Sequence, residues 1–512
     1  MTPIIIICIY LALLLLLGVV SNLFFRGTAQ DYFVASRSIG SFLLLMSVFG
    51  TTMTAFAMVG STGAAYERGI GVYGLMASSS GLVHSACFFL IGIKIWAIGK
   101  RYGYVTQCQF FRDRFESNAI GYLLFPLLVA MVIPYLLVGI LGAGSTIRAI
   151  SVGIFPEIFP GILNPQTGQM QFVGAIPPWL TGLVVCSIVL AYVFLGGLRG
   201  AAWANTMQTL VFMITGVVAF LLIAKNFGGL SAASQKLLEV SPQHAARKGL
   251  IVPQEFLSYM FVPLSVGMFP HLFQHWLTAK SAKAFRLTVI LHPVFIMIVW
   301  VPCILMGIWA VGQGLKAPNP NAILGIMVNQ LHSPVLTGIV TAGILAAIMS
   351  SLDSQFMCIS SMFTNDVVIH HYGPDHFSDK QKVMLGRCFV IVIVIITYLF
   401  SLFEPRKIFD LGVWCFSGFS GLFPLVFAAL YWKRATRAGA YACIFAMAIT
   451  WIVLFVRSDF GHGEGMINGI MPVTFIIAAS TLALVGVSLI TAPLSNQTIQ
   501  KFFTDQTKAN AQ

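Results

Sequence analysis

The sequence has very little charge. Only 9% of its 512 residues are Asp, Glu, Lys or Arg, whereas 58% are hydrophobic and the mean hydropathy is +0.89. A soluble domain carries about 25% charged residues, because polar side chains must cover the surface that faces water. The composition therefore excludes a soluble enzyme, a secreted domain and a disordered tail, and we predict a protein that crosses the lipid bilayer many times.

Cysteine patterns that carry chemistry are also missing. The nine cysteines are an odd number, and no two of them form a Cys-X-X-Cys motif, so neither a disulfide framework nor a thiolate metal site is indicated. The 29 Lys and Arg exceed the 16 Asp and Glu, giving a net charge of +13. In a membrane protein such an excess anchors cytoplasmic loops, so we expect no nucleic-acid partner.

Continuous apolar runs divide the chain into thirteen candidate transmembrane helices. A helix needs about 20 apolar residues to cross the bilayer, and runs that do not alternate with polar residues exclude a β-barrel. The predicted spans are 3–25, 40–64, 72–99, 120–147, 178–198, 203–225, 255–276, 286–312, 335–362, 385–403, 408–432, 438–456 and 469–491.

Lys and Arg counts in alternate loops predict the orientation. If the N-terminus lies outside the cell, the inward segments hold 19 of these residues and the outward segments hold the other 10. Cytoplasmic loops carry the excess of basic residues, so we expect a cell-membrane protein with its N-terminus outside and its C-terminus in the cytoplasm. Residues 225–254 oppose this orientation, because four of the outward basic residues lie there.

Two spans are interrupted by residues that disfavour a continuous helix. The second contains GTTMTAFAMVG, residues 50–60, which suits either close packing through small residues or an unwound segment facing a cavity. The seventh contains Pro263, Gly267 and Pro270. Each proline removes a backbone hydrogen bond, and such a break is tolerated in a membrane only inside protein or beside water. The seventh span is therefore predicted to be broken.

The ninth span carries a cluster of oxygen ligands. At 100° per residue, Ala347, Ser350, Ser351, Asp353 and Ser354 share one arc of about 160°. A carboxylate inside the membrane costs about 3 kcal/mol unless it is paired or hydrated. Hard oxygen ligands suit Na⁺ better than a transition metal, so the arc predicts a cation site. The alternative is that Asp353 lies near the membrane surface and only caps or pairs.

The two interrupted spans occupy equivalent positions in two halves of the chain. This is typical of secondary transporters built from inverted repeats, which bind their ligands where the repeats meet. The predicted division is a leading helix and loop at 1–37, a first repeat at 38–225, an outward loop at 226–254, a second repeat at 255–432, and two trailing helices with a cytoplasmic tail at 433–512.

The runs GTTMTAFAMVG and AGILAAIMSSLDSQ resemble the most specific segments of the sodium:solute symporter family. The resemblance implies an all-α membrane protein of the LeuT type, with one leading helix, a five-plus-five inverted repeat and two trailing helices. It also implies Na⁺ as the bound ion and no catalytic residues. The implied Na⁺ ligands are the carbonyl oxygens of Gly50, Met53 and Ala347 and the hydroxyls of Ser350 and Ser351.

The sequence departs from the family at a second ion site. Where many members carry Asp in the fifth core helix, this chain has Asn205, and Asp353 and Ser354 stand where some members carry hydroxyl ligands. We hypothesise that the carboxylate has moved to the facing helix and that Asn205, Asp353 and Ser354 form a second cation site. The alternative is that the second site is lost.

Substrate contacts are expected beside the two breaks, at Thr52, Phe56, Ala57, Ser265 and Gly267. Phe56 and Ala57 stand where sugar-binding members carry polar side chains, which disfavours sugar. Thr52 stands where proline-type members carry Asp, which weakens an amino-acid substrate. Helix N-termini at a break carry partial positive charge, so a small organic anion, such as a monocarboxylate or pantothenate, is favoured.

Two histidines follow the second break. His275 stands where Arg is common in the family, and with His271 it could form a pH-sensitive pair. The favoured interpretation is that both are ordinary residues at the membrane surface.

The sequence thus predicts a sodium-coupled symporter that imports a small-molecule solute by alternating access, not an enzyme. One alternative is a proton-coupled symporter that uses Asp353 as the proton carrier. The other is a transporter-like membrane sensor, which the short segment of about 20 residues after the last span disfavours.

Overall fold

The described chain is nearly all helix. A computed structural model describes residues 1–23, 27–163, 170–246, 250–373, 375–403, 407–461 and 465–503. We number the membrane-length helices, and the halves of two bent ones, in chain order. They are α1 (Thr2–Leu23), α2 (Ser41–Thr52), α3 (Phe56–Arg68), α4 (Gly71–Tyr102), α5 (Asn118–Ile150), α6 (Pro178–Asn226), α7 (Pro253–Gly267), α8 (Pro270–Thr278), α9 (Ala282–Gly312), α10 (Pro334–Tyr372), α11 (Asp379–Ser401), α12 (Ile408–Tyr431), α13 (Arg437–Arg457) and α14 (Pro472–Ile490).

Short elements connect these helices. The connecting helices include Ala29–Val34, Gln107–Arg114, Leu230–Val240, Pro242–Ala245, Ile323–Asn329 and Asn496–Phe503. Strands β1 (Ile162–Leu163) and β2 (Met170–Gln171) form an antiparallel hairpin in which Ile162 faces Gln171. Parts of the predicted elements, at residues 24–25, 247–249 and 504–512, lie outside the described residues.

Two helices are bent where the sequence is interrupted. The axes of α2 and α3 differ by 57°, and those of α7 and α8 by 48°. Prolines had predicted the second of these breaks. For the first, two interpretations were open, and the structure favours the unwound segment.

The number of spans is the main difference from the prediction. The described residues contain ten helices able to cross a membrane, or up to twelve if each bent pair is one span. The difference from thirteen lies in α6, which runs for 49 residues with a backbone break at Gly197 (φ 57°, ψ −157°). A helix of that length extends about 74 Å, over twice the roughly 30 Å hydrocarbon core. Counting α6 as two crossings restores thirteen, which stays a prediction.

Helix α10 lies at the centre of the molecule. Every residue from Val340 to Met362 is buried, and α10 packs against α1, α2, α5 and α6. Its polar side chains therefore face other helices, and Asp353 is fully buried. The alternative position for Asp353 near the membrane surface does not hold. The division of the chain into two repeats stays a prediction.

Candidate functional site

The first break places backbone carbonyl groups next to α10. Helix α2 ends at Thr52, Met53 is extended (φ −91°, ψ 91°), and α3 begins at Phe56, whose N–H donates to Thr54 Oγ1 at 3.0 Å. The last carbonyls of a helix have no intrahelical donor. The break therefore leaves carbonyl oxygens of α2 available at the depth of the ninth predicted span.

Ser350 connects α10 to this break. Its hydroxyl donates to the carbonyl oxygen of Gly50 at 2.8 Å and to that of Ala347 at 3.0 Å. Ser351 lies beside it and donates to Ile348 O at 2.9 Å within its own helix. The structure thus brings Gly50, Ala347 and Ser350 together. These are hard oxygen atoms, the type of ligand that suits Na⁺, and their role as ligands stays a prediction.

Helix α2 also lies very close to α6. A Cβ added at Gly50 would come within 2.4 Å of Thr209 Oγ1, and that hydroxyl donates to Met46 O at 3.0 Å. Only glycine permits this approach. The oxygen cluster around Gly50 therefore lies where α2, α6 and α10 meet.

Asp353 has several hydrogen-bond partners one turn further along α10. Tyr192 OH lies 3.2 Å from Oδ2, and Ser354 Oγ lies 3.0 Å from Oδ1. With its amide nitrogen facing the carboxylate, Asn205 donates to both Asp353 oxygens at 2.9 and 3.1 Å and accepts from Ser354 Oγ at 2.9 Å. The three residues of the predicted second cation site are therefore in mutual contact.

In the described part of the chain, no basic side chain balances this carboxylate. Among the described residues, no Lys, Arg or His nitrogen forms an ion pair with Asp353 within 4.0 Å. An isolated buried carboxylate is very costly in a medium of low dielectric constant. A proton or a bound cation at Asp353 would remove this cost.

His275 extends the same network. Its Nδ1 lies 3.0 Å from Ser47 Oγ and its Nε2 lies 3.0 Å from Ser354 Oγ, so it connects α2 to α10. His275 and His271 are buried, with exposures of 1% and 0%. The interpretation of both as residues at the membrane surface was wrong. It failed because the bend before α8 turns this segment into the protein, and only the three-dimensional structure shows that turn.

Phe56 lies in a group of aromatic rings that the sequence did not identify. Its ring stacks on Phe409 at a centroid distance of 5.3 Å and meets the ring of Phe416 edge-on at 4.9 Å. Tyr135 lies 5.0 Å from Phe416 and 5.4 Å from Phe269. We call these rings the aromatic cluster; its members are Phe56, Tyr135, Phe269, His271, Phe409 and Phe416.

The other predicted substrate residues are divided between two places. Thr52 and Ala57 flank Phe56 at the first break, and the Thr52 hydroxyl donates to Phe49 O at 2.8 Å. Ser265 and Gly267 precede the second break. A Cβ at Gly267 would contact Phe423 and Ile91 rather than the aromatic cluster.

Known proteins similar to this chain are membrane transporters. The model of the sodium:solute symporter family matches residues 32–154 and 179–446. The sodium/pantothenate symporter of Escherichia coli K12 is 27% identical over 438 residues, covering 83% of this chain and 84% of that protein. The sodium/proline symporter of Haemophilus influenzae is 26% identical over 468 residues, covering 86% of each.

A solved structure is similar over nearly the whole fold. The structure of a Na⁺-coupled sialic acid symporter in a substrate-bound outward-open state has a TM-score of 0.73 at 18% identity, and the match covers 97% of this chain and 99% of that one. At this identity the likeness concerns the fold alone. It confirms the predicted fold class, an all-α membrane protein of the LeuT type.

Proposed function

The chain belongs to the sodium:solute symporter family, and we propose that it imports a small organic anion, such as a monocarboxylate or pantothenate, together with Na⁺. It is a sodium-coupled solute symporter and not an enzyme. Two of its curated relatives are named for pantothenate and for proline. Both of those compounds carry a carboxylate, which supports a substrate with that group.

The Na⁺ ligands we propose are the carbonyl oxygens of Gly50, Met53 and Ala347 and the hydroxyls of Ser350 and Ser351. The observation that carries this assignment is the 2.8 Å hydrogen bond from Ser350 Oγ to Gly50 O, because it joins α2 and α10 through the atoms that an ion would bridge. Bound Na⁺ would hold α2 against α10 and so organise the first break for the substrate. Each ligand then raises the affinity for the other.

Ser351→Ala tests the Na⁺ site in proteoliposomes. Among the described residues its hydroxyl bonds only to its own helix, so its removal changes little packing. If Ser351 binds Na⁺, the Na⁺ concentration for half-maximal uptake should rise about tenfold or more, the effect of losing one ligand to a charge. The matched control is Ser360→Ala, a buried serine on the same helix outside this site. An unchanged Na⁺ dependence in Ser351→Ala would refute the assignment.

A second ion site is the finer part of the proposal. Asp353 contacts Tyr192, Asn205 and Ser354 and has no ion-pair partner within 4.0 Å in the part of the chain that is described. We propose that it binds a second Na⁺. Proton coupling through Asp353 is the other candidate, and the same lack of a basic partner favours it.

Moving the carboxylate distinguishes these two candidates. Asp353→Asn should lower the Na⁺-to-solute ratio, measured from the reversal potential, by one ion. The double variant Asn205→Asp with Asp353→Ser keeps one carboxylate in contact with Ser354 and should restore the ratio. Counterflow without Na⁺ that depends on pH and disappears in Asp353→Asn would instead establish proton coupling.

A further inference from the structure

Helix α8 begins inside the protein without a side-chain cap. It has nine residues, all of them buried. The side chain of its N-cap residue, Phe269, forms no capping hydrogen bond. Pro270 occupies the first helical position and has no N–H, so the backbone N–H groups of His271 and Leu272 are the ones without an intrahelical acceptor. A buried helix end in this condition requires an acceptor from elsewhere.

Helix α3, which begins at the first break, does not have an uncapped start. At the start of α3, the hydroxyl of Thr54 accepts from the N–H of Phe56 at 3.0 Å, and Thr54 O accepts from the N–H of Ala57 at 2.9 Å. Helix α3 is therefore capped by its own chain. Of the two helix starts, α8 is the one that offers its amides to another group.

His271 provides a second and independent observation. Its side chain is completely buried, yet in the part of the chain that is described neither ring nitrogen has a hydrogen-bond partner. The ring stacks on that of Phe269 at 5.1 Å with an angle of 22°, and it lies 5.6 Å from the ring of Tyr135. Because Phe269 is the N-cap residue, the imidazole lies beside the uncapped end of α8.

The surroundings of this helix end indicate the charge of a group that would bind there. A helix N-terminus carries partial positive charge and favours an anion over a cation. An N–H of the imidazole and the backbone N–H groups of His271 and Leu272, which have no acceptor among the described residues, are all donors. They match the lone pairs of a carboxylate. The rest of the aromatic cluster offers apolar ring faces and only one hydroxyl, on Tyr135. Such a surface suits a compact apolar body rather than a polyol.

We propose that His271 and the N-terminus of α8 form the carboxylate-binding subsite of the transported solute, with the aromatic cluster holding the solute's apolar body. This inference rests on the proposed function and specifies it. It assigns a residue that sequence reasoning placed at the membrane surface, and it predicts that the carboxylate is obligatory for recognition.

The test uses the full chain in proteoliposomes with radiolabelled pantothenate, proline, pyruvate and lactate. For each solute that accumulates, the competitor is its analogue without the carboxylate, panthenol for pantothenate and prolinamide for proline. This uncharged analogue should compete at least tenfold more weakly than the acid.

The His271 variants test the subsite itself. His271→Ala should raise the KM for the carboxylate-bearing solute tenfold to a hundredfold, the range for one hydrogen bond to a charged group. His271→Gln, which keeps an N–H donor, should recover part of the loss.

Folding and specificity are checked in the same preparation. His84→Gln is the matched control: His84 is a buried histidine whose Nδ1 lies 3.1 Å from His292 Nε2, away from the aromatic cluster. It should leave the KM unchanged. A Na⁺-induced rise in melting temperature in His271→Ala would show that this variant folds and retains its ion site.

The outcomes separate this inference from the proposed function. Sodium-coupled carboxylate uptake with an unchanged KM in His271→Ala overturns the subsite alone. Uptake that needs the carboxylate and His271 but not Na⁺ supports the subsite and overturns the sodium coupling. Uptake of neutral analogues as efficiently as of the acids, or of none of the four solutes, counts against the carboxylate subsite.

Discussion

At the scale of single residues, Gly50 is the glycine of the candidate ion site that has no room for a side chain. A methyl group there would lie 2.4 Å from Thr209 Oγ1, so Gly50→Ala must push α2 away from α6. We expect a loss of stability of about 1–3 kcal/mol, as for other overpacked cores. We also expect a higher Na⁺ requirement, because Gly50 O would move relative to Ser350. Thermal unfolding and Na⁺-dependent uptake measure the two effects.

The control for this prediction removes the obstructing hydroxyl. Thr209→Ala alone should cost about 1 kcal/mol, since it loses the hydrogen bond to Met46 O. The double variant Gly50→Ala with Thr209→Ala should recover most of the Na⁺ affinity that Gly50→Ala loses. If the double variant is as impaired as the single one, the close approach of α2 and α6 is not the cause.

Helix geometry made part of the site predictable at this scale. Ser350, Asp353 and Ser354 share an arc of α10 because residues on one helix have fixed angular positions. Their partners on α2 and α6 could be named only through the family resemblance. Tyr192 was missed and His275 was placed at the membrane surface, because their contacts depend on how distant helices pack and a single sequence does not contain that information.

At the scale of elements, local chemistry explains which breaks were predictable. Pro263 and Pro270 forbid backbone hydrogen bonds wherever they lie, so the α7–α8 break followed from sequence alone. The α2–α3 break contains no proline. Small and hydroxyl residues permit an unwound segment without requiring it. Whether the segment unwinds depends on how the surrounding helices pack against it.

One ion pair joins the far ends of the two bent pairs. Arg68, the last residue of α3, pairs with Glu255 in the first turn of α7, and Glu255 is only 3% exposed. A pocket beside Arg68 is lined by Phe409, a member of the aromatic cluster, and by Val413. We expect the pair to close a route from this pocket to the cluster. Glu255→Gln should open it, and we expect several-fold faster labelling of Val413→Cys by a maleimide that does not cross membranes.

An ion pair at the opposite end serves as the control. Arg199 pairs with Asp31 at 2.6 Å on the other side of the molecule. Asp31→Asn should leave the labelling of Val413→Cys unchanged or slower, because it favours opening at that other end. Equal acceleration by both variants would indicate general loosening rather than a gate at Arg68.

At the scale of the whole molecule, segments predicted to lie on the same side of the membrane are in contact. Arg37, in the first inward segment, donates to Tyr104 O and Leu277 O, and Ile39 pairs with Ala279. These contacts join segments that the loop order places on one side. The grouping of segments was therefore predictable from span order. Which end faces the cytoplasm rests on the Lys and Arg bias alone.

Labelling of intact cells tests the orientation, because the two ends differ in a way that one reagent can measure. Ser231 lies in the 225–254 segment, Ala282 is the first residue of α9, directly after the connection from α8, and both are exposed. In a chain whose exposed cysteines Cys8 and Cys388 are replaced by serine, an impermeant maleimide should label Ser231→Cys and spare Ala282→Cys. Permeabilised cells should label both. The reverse pattern would mean that the four basic residues of segment 225–254 outweigh the other loops and that the N-terminus faces the cytoplasm.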